Sequence, residues 1–474
     1  MTIANFIQTT TALQTVRMGV GAITLALVAT GAACGGSVQN KEASKDAGGP
    51  LGNESEAGVQ PKTDAGPGTK DGGAGATDGA SDANTGAPST NYPAFKVDVA
   101  QIVNNGGPVL KAPVVVTVTW STDPDAASYG TLGDTIGASP YWKAINSEYG
   151  VGAVTSGTTN HVSITTAPPA SFADTDLDTL VDTNVGVGWP ASTANTVYAV
   201  YLPPNAALTF GGQDACQSGV GGYHTESNKN NYVYAIMPHC SGFATADVQL
   251  SASHELNEAA TDPHPGSNAA WVGFDNDHLA AEFFNQFQDE LGDACELFTE
   301  ATDSVDLTPY TVQRQWSNAS AAAGSHWCVP GLKEPFYNTT FLPSTNLDSI
   351  SVNLTPLFPG AGSQTTKGFK VPLNTARTFP IGLFSDQATS GPFTLDVQGL
   401  GASNPIGQDQ QGNNIANGNM TVTLDLTSGV NGQIANVTVT PTSYSTLGMN
   451  FFYIRAVLPG ATQHHYLPVI VSQN

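Results

Sequence analysis

The stretch Ser251–Pro265, SASHELNEAATDPHP, sets His254, Glu255 and Glu258 in an H-E-x-x-E pattern, with Asp262 and His264 close behind. A helix turns about 100° per residue, so from His254 the offsets are about 40° for Glu258, about 80° for Asp262 and about 100° for Glu255. All four groups therefore share one face of a helix predicted over 246–261. Val248, Ala252, Leu256 and Ala259 supply its buried positions, and Pro263 stops it. Carboxylates near a helix C-terminus are disfavoured, by roughly 0.3 kcal/mol or more each. Arg314 is the only Lys or Arg between Ala244 and Lys333. A bound divalent cation would relieve the repulsion, and so would exposure of the whole face to water.

Around this helix the pattern is mixed. Val114–Trp120, VVVTVTW, is β-branched and reads as a buried strand. Ser139-Pro140 opens a helix with Pro in its first turn. A second helix is predicted over 172–185, with Leu177, Leu180 and Val181 on one side. Its Asp174, Asp176 and Asp178 imitate the start of a calcium loop. Thr179 and Val185 stand where that loop needs Gly and Glu, so first-turn acids are the better reading. Strands follow at 196–202 and 232–237. From about Phe336 onward helical periodicity disappears, and short alternating runs at 420–426, 435–440, 451–457 and 466–471 are separated by Gly, Asn, Pro and Ser. That pattern predicts an immunoglobulin-like β-sandwich, structural or adhesive in role, with His464-His465 in an exposed turn.

Only 11% of the 474 residues are charged, and the net charge is −24. The chain lacks the basic footprint that nucleic acid demands. No G-x-S-x-G or P-loop occurs, so serine-hydrolase and nucleotide chemistry find no support. The amino terminus reads as an export signal over 1–33: Arg17, then the apolar run Met18–Ala33. Gly31-Ala32-Ala33-Cys34 resembles a bacterial lipobox, which implies a lipid on Cys34 and anchorage to a membrane. A plain secretory cleavage near Ala33 is the other reading. Residues 34–92 are Gly-, Ala-, Asp- and Ser-rich with almost no large apolar side chain, and are expected to form a flexible tether. If Cys34 carries lipid, four cysteines remain. Cys216–Cys240 and Cys295–Cys328 are the expected pairs, each closing a short segment, with the other two pairings open.

The H-E-x-x-E helix resembles the H-E-x-x-H helix of zincin metallopeptidases. The resemblance implies that the α+β domain over 93–333 is zincin-like; the all-β immunoglobulin-like sandwich read from the alternating runs follows over 334–474. It implies one divalent ion on His254 and Glu258, with Glu255 as general base toward an ion-bound water. Three residues compete as third ligand. His264 lies ten places after His254, as in the metzincin branch. Asp262 is nearer, and Asp293 of Leu291-Gly292-Asp293-Ala294-Cys295 lies beside a cysteine. Zinc is the first choice of ion, and the carboxylate at Glu258 also admits calcium. The implied activity is peptidase-like hydrolysis of a polypeptide or cell-surface polymer. The alternative is a non-catalytic surface protein, binding or adhesive, with a structural ion or none. His224 and Tyr223 are candidate contacts to substrate or to a developing oxyanion, although a surface-loop histidine near a disulfide is the plainer reading of His224. Asp275-Asn276-Asp277-His278 reads as a hydrated turn.

A second resemblance rests on Gly222-Tyr223-His224, Tyr234–Cys240, SHELNEAATDP, LGDAC, Val312–Asn318 and CVPG. Together these are similar to a group of exported bacterial proteins over about 93–331. A fainter likeness reaches the plant EXORDIUM, or phosphate-induced, cell-wall proteins, mainly around the Tyr-His and the paired cysteines.

Overall fold

The computed structural model describes residues 86–286, 290–296, 298, 310–358, 360–409, 411–461 and 463–473. The expected signal segment, Cys34 and the tether as far as residue 85 lie outside the described residues. The end of that tether differs from the expectation. The Ser89 N–H donates to the Asn431 carbonyl at 2.8 Å, and the Asn431 side chain donates to the carbonyls of Ser89 and Asn91. Order therefore begins before Pro93, because a distant asparagine supplies the partners that this polar stretch cannot supply itself.

The fold is mixed α and β, with far more strand than helix. Val114–Trp120 is buried from Val115 onward. It belongs to a five-stranded sheet in the order His161–Ile164, Val114–Trp120, Thr196–Tyr201, Val233–Met237, Tyr223–Glu226. The first four strands are parallel, and Tyr223–Glu226 closes the edge antiparallel to Val233–Met237. Parallel strands covered on both faces need continuous apolar runs, which explains VVVTVTW and TVYAVY. Helices Ala126–Thr135 and Pro140–Asn146 follow the first strand, the latter capped by the Ser139 hydroxyl accepting from the Trp142 N–H. The helix expected over 172–185 runs Asp174–Asn184, and Asp176 accepts from the Ala173 N–H at 2.9 Å. Its acids cap the helix, as expected.

The central helix, Thr245–Thr261, packs against the Val233–Met237 and Tyr223–Glu226 strands. Asp247 caps its start by accepting from the Ala244 N–H at 2.7 Å. Every residue from Ala252 to Thr261 is buried. The polar face is therefore not a hydrated surface: other segments of the chain cover it.

The carboxy-terminal region is two packed sheets. One orders Tyr337–Phe341, Arg377–Ser385, Ile434–Pro441 and Met420–Leu424. The other orders Asp348–Asn353, Ser363–Lys370, His464–Ser472, Met449–Val457, Phe393–Gln398 and Ser428–Gly429. Inward residues of both, among them Phe369, Ile381, Val437, Ile454 and Val469, fill one shared core. His465 corrects the expectation of an exposed turn. It is buried in a strand, with ring centroids 4.5 Å from Phe336 and 4.9 Å from Tyr337. The boundary expected at residue 334 falls within a continuous apolar layer, in which Phe336 and Phe384 pack with Trp316 and Trp327. Helix Leu279–Phe284 adds Leu279 and Phe283 to a cluster with Ile350, Met449 and Ile470. Among the described residues no helix is long and apolar enough to cross a membrane.

Both expected disulfides are present. Cys216–Cys240 spans 24 residues and ties the loop before the edge strand to the end of its neighbour. Cys295–Cys328 spans 33 and ties the short helix Asp293–Glu296 to the strand Cys328–Val329. A disulfide typically contributes about 2–4 kcal/mol. The double variant Cys295→Ala/Cys328→Ala is expected to lose stability in that range in urea unfolding. An unchanged midpoint would mean that the aromatic layer alone holds the segment.

Candidate metal centre

Three chain segments converge on the second half of the central helix: the edge strand Tyr223–Glu226, the turn around residues 290–296, and the stretch around Gln313. They come together because glycine allows close approach. A Cβ on Gly222 would stand 2.7 Å from Glu255 Oε1, and one on Gly292 would stand 2.7 Å from His254 Nδ1 and 2.9 Å from Glu258 Oε1. The backbone at Gly292 also works as a clamp. The N–H groups of Gly292 and Asp293 donate to Glu258 Oε1 at 2.8 and 3.2 Å.

His254 Nε2 lies 2.9 Å from Glu258 Oε2 and 3.4 Å from Asp293 Oδ1, and its Nδ1 lies 3.5 Å from Glu296 Oε1. The Gln313 Oε1 stands 3.0 Å from His254 Nδ1, while Gln313 Nε2 donates to the Gly292 carbonyl at 2.9 Å. That second bond fixes which end of the amide faces the imidazole. His254 Nδ1–H therefore donates to Gln313, and the lone pair of a neutral ring sits on Nε2, toward Glu258 and Asp293. Gln313 is itself fixed. Its N–H donates to Ser253 Oγ at 2.9 Å, and the Tyr141 hydroxyl donates to its carbonyl at 2.6 Å.

His224 forms the other half. Its side chain is 4% exposed, so the surface-loop reading is overturned: it projects from a strand into the centre. Its Nε2–H donates to the Asp262 carbonyl at 3.1 Å and lies 3.4 Å from Glu290 Oε2. Its Nδ1 lies 3.5 Å from Glu255 Oε2 and 3.7 Å from Glu258 Oε2. Tyr223 faces the other way, as neighbours on a strand must. Its ring packs 4.6 Å from Phe210 and 6.3 Å from Tyr234, away from the centre.

The competing third-ligand residues separate by placement. Asp293 is in the cluster. Asp262 caps the helix end, and its Oδ1 accepts from the Ala270 N–H at 2.7 Å. His264 starts the next turn, its carbonyl accepting from the Asn268 N–H at 2.9 Å. Two sets of side chains have ligand atoms mutually within 4.8 Å: His224, Glu255 and Glu258, and His254, Asp293 and Glu296. His264 is in neither. Sequence reasoning missed Glu290, Glu296 and the role of Gln313. The i, i+3 spacing of Asp293 and Glu296 around Cys295 was the available signal.

The electrostatics are those of buried charge. Burial alone would lower both histidines. Hydrogen bonding to Glu255, with Glu258 and Glu255 as charges, lifts His224 to about 9. The charges of Glu258 and Glu255 and the Asp293 contact lift His254 well above its usual value. Burial would raise Glu258, but His254 by charge and hydrogen bond, then His224 and the Asp293 N–H, hold it at about 2. Burial keeps Glu255 above the usual carboxylate range, and burial followed by the charge of Glu258 does the same for Asp293. Burial likewise dominates Asp262, which rises to about 6. Asp293 and Glu296 keep 27% and 29% of their side chains exposed, so the centre opens to solvent on their side. Asp275-Asn276-Asp277-His278 lies apart from it. There Asp275 accepts from the Gln101 N–H at 2.9 Å and bonds His278 at 2.8 Å, making a structural turn.

No protein-family model matches the chain, and no curated protein does. Among solved structures, domains 4 and 5 of the S-layer protein SbsC show 14% identity over 35% of this chain and 87% of that one. The TM-score is 0.14, a superposition too loose to relate the two folds.

Gly292→Ala tests the close approach. The added methyl must displace His254 or Glu258, and such overpacking costs about 1–3 kcal/mol. Gly391→Ala, with nothing within 4 Å of its Cβ, is the control and should be near neutral. Equal urea midpoints for the two variants would contradict the geometry.

Proposed function

We propose that the chain is an exported, lipid-anchored protein whose first domain is a zincin-like, metal-dependent hydrolase of the peptidase type. The anchor in this reading is Cys34, and the second domain is an immunoglobulin-like sandwich. The observation that carries the proposal is His254 Nε2 facing Glu258 and Asp293, buried, with its other nitrogen donating to Gln313. Tetrahedral bonds of about 2.1 Å set ligand atoms about 3.4 Å apart, and a catalytic zinc takes three protein ligands and a water. The 3.4 Å between His254 and Asp293 fits that spacing, and the 2.9 Å to Glu258 needs only a small opening. In this reading His254, Glu258 and Asp293 hold the ion, with Glu296, which joins His254 and Asp293 in the mutually close set, as a further carboxylate within reach. Zinc is the expected ion, and calcium is the alternative admitted by the carboxylates.

A bound divalent ion polarises a carbonyl and lowers the pKa of its water toward about 7. The chain's own residues do the rest. Glu255, one residue from His254 and within the cluster, takes a proton from water and returns it to the leaving group. His224 offers a positive partner to developing negative charge. The partly exposed Asp293 and Glu296 mark the side from which a polypeptide or cell-surface polymer enters.

The low exposure of His254, 8%, and Glu258, 4%, supports a second reading: a non-catalytic surface protein with a structural ion. Closed structural sites have this character.

Elemental analysis of the purified protein should find a divalent ion that His254→Ala loses; equal content in both would sink the metal site. Hydrolysis of casein or a peptide library should be abolished by chelator and fall by about 10²-fold or more in Glu255→Gln, which keeps the His254 ion. Bound metal without hydrolysis would select the structural reading.

A further inference from the structure

Each imidazole of the centre is ringed by three carboxylates, and one carboxylate is common to both rings. Around His254 stand Glu258, Asp293 and Glu296 at 2.9, 3.4 and 3.5 Å. Around His224 stand Glu255, Glu258 and Glu290 at 3.5, 3.7 and 3.4 Å. The shared atom is Glu258 Oε2, since Oε1 is already held by the Gly292 and Asp293 N–H groups.

One divalent ion on His254 leaves a second set of mutually close ligand atoms, on His224, Glu255 and Glu258, outside its reach. We propose that the centre takes a second divalent cation, held by His224 Nδ1, Glu255 and Glu258, with Glu258 Oε2 shared between the two positions. The inference rests on the reading of the His254 position as a metal site. Two observations carry it beyond that reading.

The first is the orientation of His224. Its Nε2 is committed to the Asp262 carbonyl at 3.1 Å, a partner outside the ligand set. This leaves Nδ1 facing Glu255 Oε2 and Glu258 Oε2 at 3.5 and 3.7 Å, three ligand atoms mutually within 4.8 Å, where a cation can take the place of the ring's own proton. It mirrors His254, where Gln313 fixes Nδ1–H and turns Nε2 inward. A backbone carbonyl or side-chain acceptor on the outer nitrogen is how proteins present an imidazole to a metal.

The second is charge. Glu255, Glu258, Glu290, Asp293 and Glu296 flank the two rings, and Arg314, the only Lys or Arg between Ala244 and Lys333, gives its Nε–H to the Pro330 carbonyl at 2.7 Å. The five carboxylates outnumber the two imidazoles, so a cation on the His224 side has acidic partners of its own. Two-ion centres place their ions about 3.5–4 Å apart and commonly share one group between them, which is the place Glu258 Oε2 occupies. The second ion would bind Glu255 directly. Glu255 would then be a ligand and no longer free to move a proton, so the second position restrains the chemistry proposed for the first.

The test uses the full chain, stripped of metal with chelator and titrated with zinc chloride by calorimetry. Bound zinc is counted after gel filtration. Wild type is expected to hold two tight equivalents, and Glu255→Gln and His224→Ala one each. Glu255→Gln preserves shape, so it decides the matter even if His224→Ala misfolds. One equivalent in wild type, or two in a folded variant, overturns the second position and leaves the first standing. No tight zinc in wild type overturns both.

Discussion

Two imidazoles buried among carboxylates set the terms for the rest of this domain. Unit charges 4 Å apart interact by about 4 kcal/mol at an effective dielectric of 20. A cluster of this kind persists only if the surrounding chain holds it and a proton or a cation balances it. The scaffold meets the first requirement with rigid parts. The helix is clamped on the parallel sheet and the edge strand carries His224. The turn around Gly292 is tied by Cys295–Cys328 and by the Leu291 carbonyl accepting from the Trp316 N–H at 2.8 Å.

The carboxy-terminal sandwich takes part in that support. The expectation of a structural or adhesive module was read from the alternating runs of its strands, which do not show the face it packs against. Phe298, just beyond the Asp293–Glu296 turn, lies 6.1 Å from Trp327 and 6.3 Å from Tyr466 of the sandwich. Trp327 in turn lies 4.6 Å from Phe336. The turn that supplies Asp293 is therefore packed between the helix and the sandwich.

What the sequence made legible was local. VVVTVTW, the Ser139-Pro140 start, the 245–261 helix and the alternating runs of the sandwich each reflect a period or a cap that neighbouring residues decide. The cysteine pairs followed from loop length. The parallel strand order was not legible, because an apolar β-branched run has the same composition in either direction. Nor was the burial of His224 or His465. Both sit in short polar surroundings whose cover, the central helix for one and Phe336 and Tyr337 for the other, comes from distant chain. The rival reading of the opening motif, a hydrated acidic face, fails for the same reason: the covering segments lie more than thirty residues away along the chain.

Which of Asp262, His264 and Asp293 stands beside His254 is a question that spacing leaves open and backbone geometry answers. A residue just past a helix end follows the backbone away from the helix face. Asp262 leaves with φ −141° and spends its Oδ1 on the Ala270 N–H, just before the strand Trp271–Phe274. His264 goes further into the turn, its carbonyl closing it. A group that meets His254 and Glu258 face on must come from chain that runs back across the helix, close enough for its N–H groups to reach Glu258. At Gly292 any side chain would strike His254 at 2.7 Å, so a glycine is required there, and the residue after it is delivered to the ring. Leu291-Gly292-Asp293 contains that arrangement in three letters: the glycine permits the approach and the aspartate uses it.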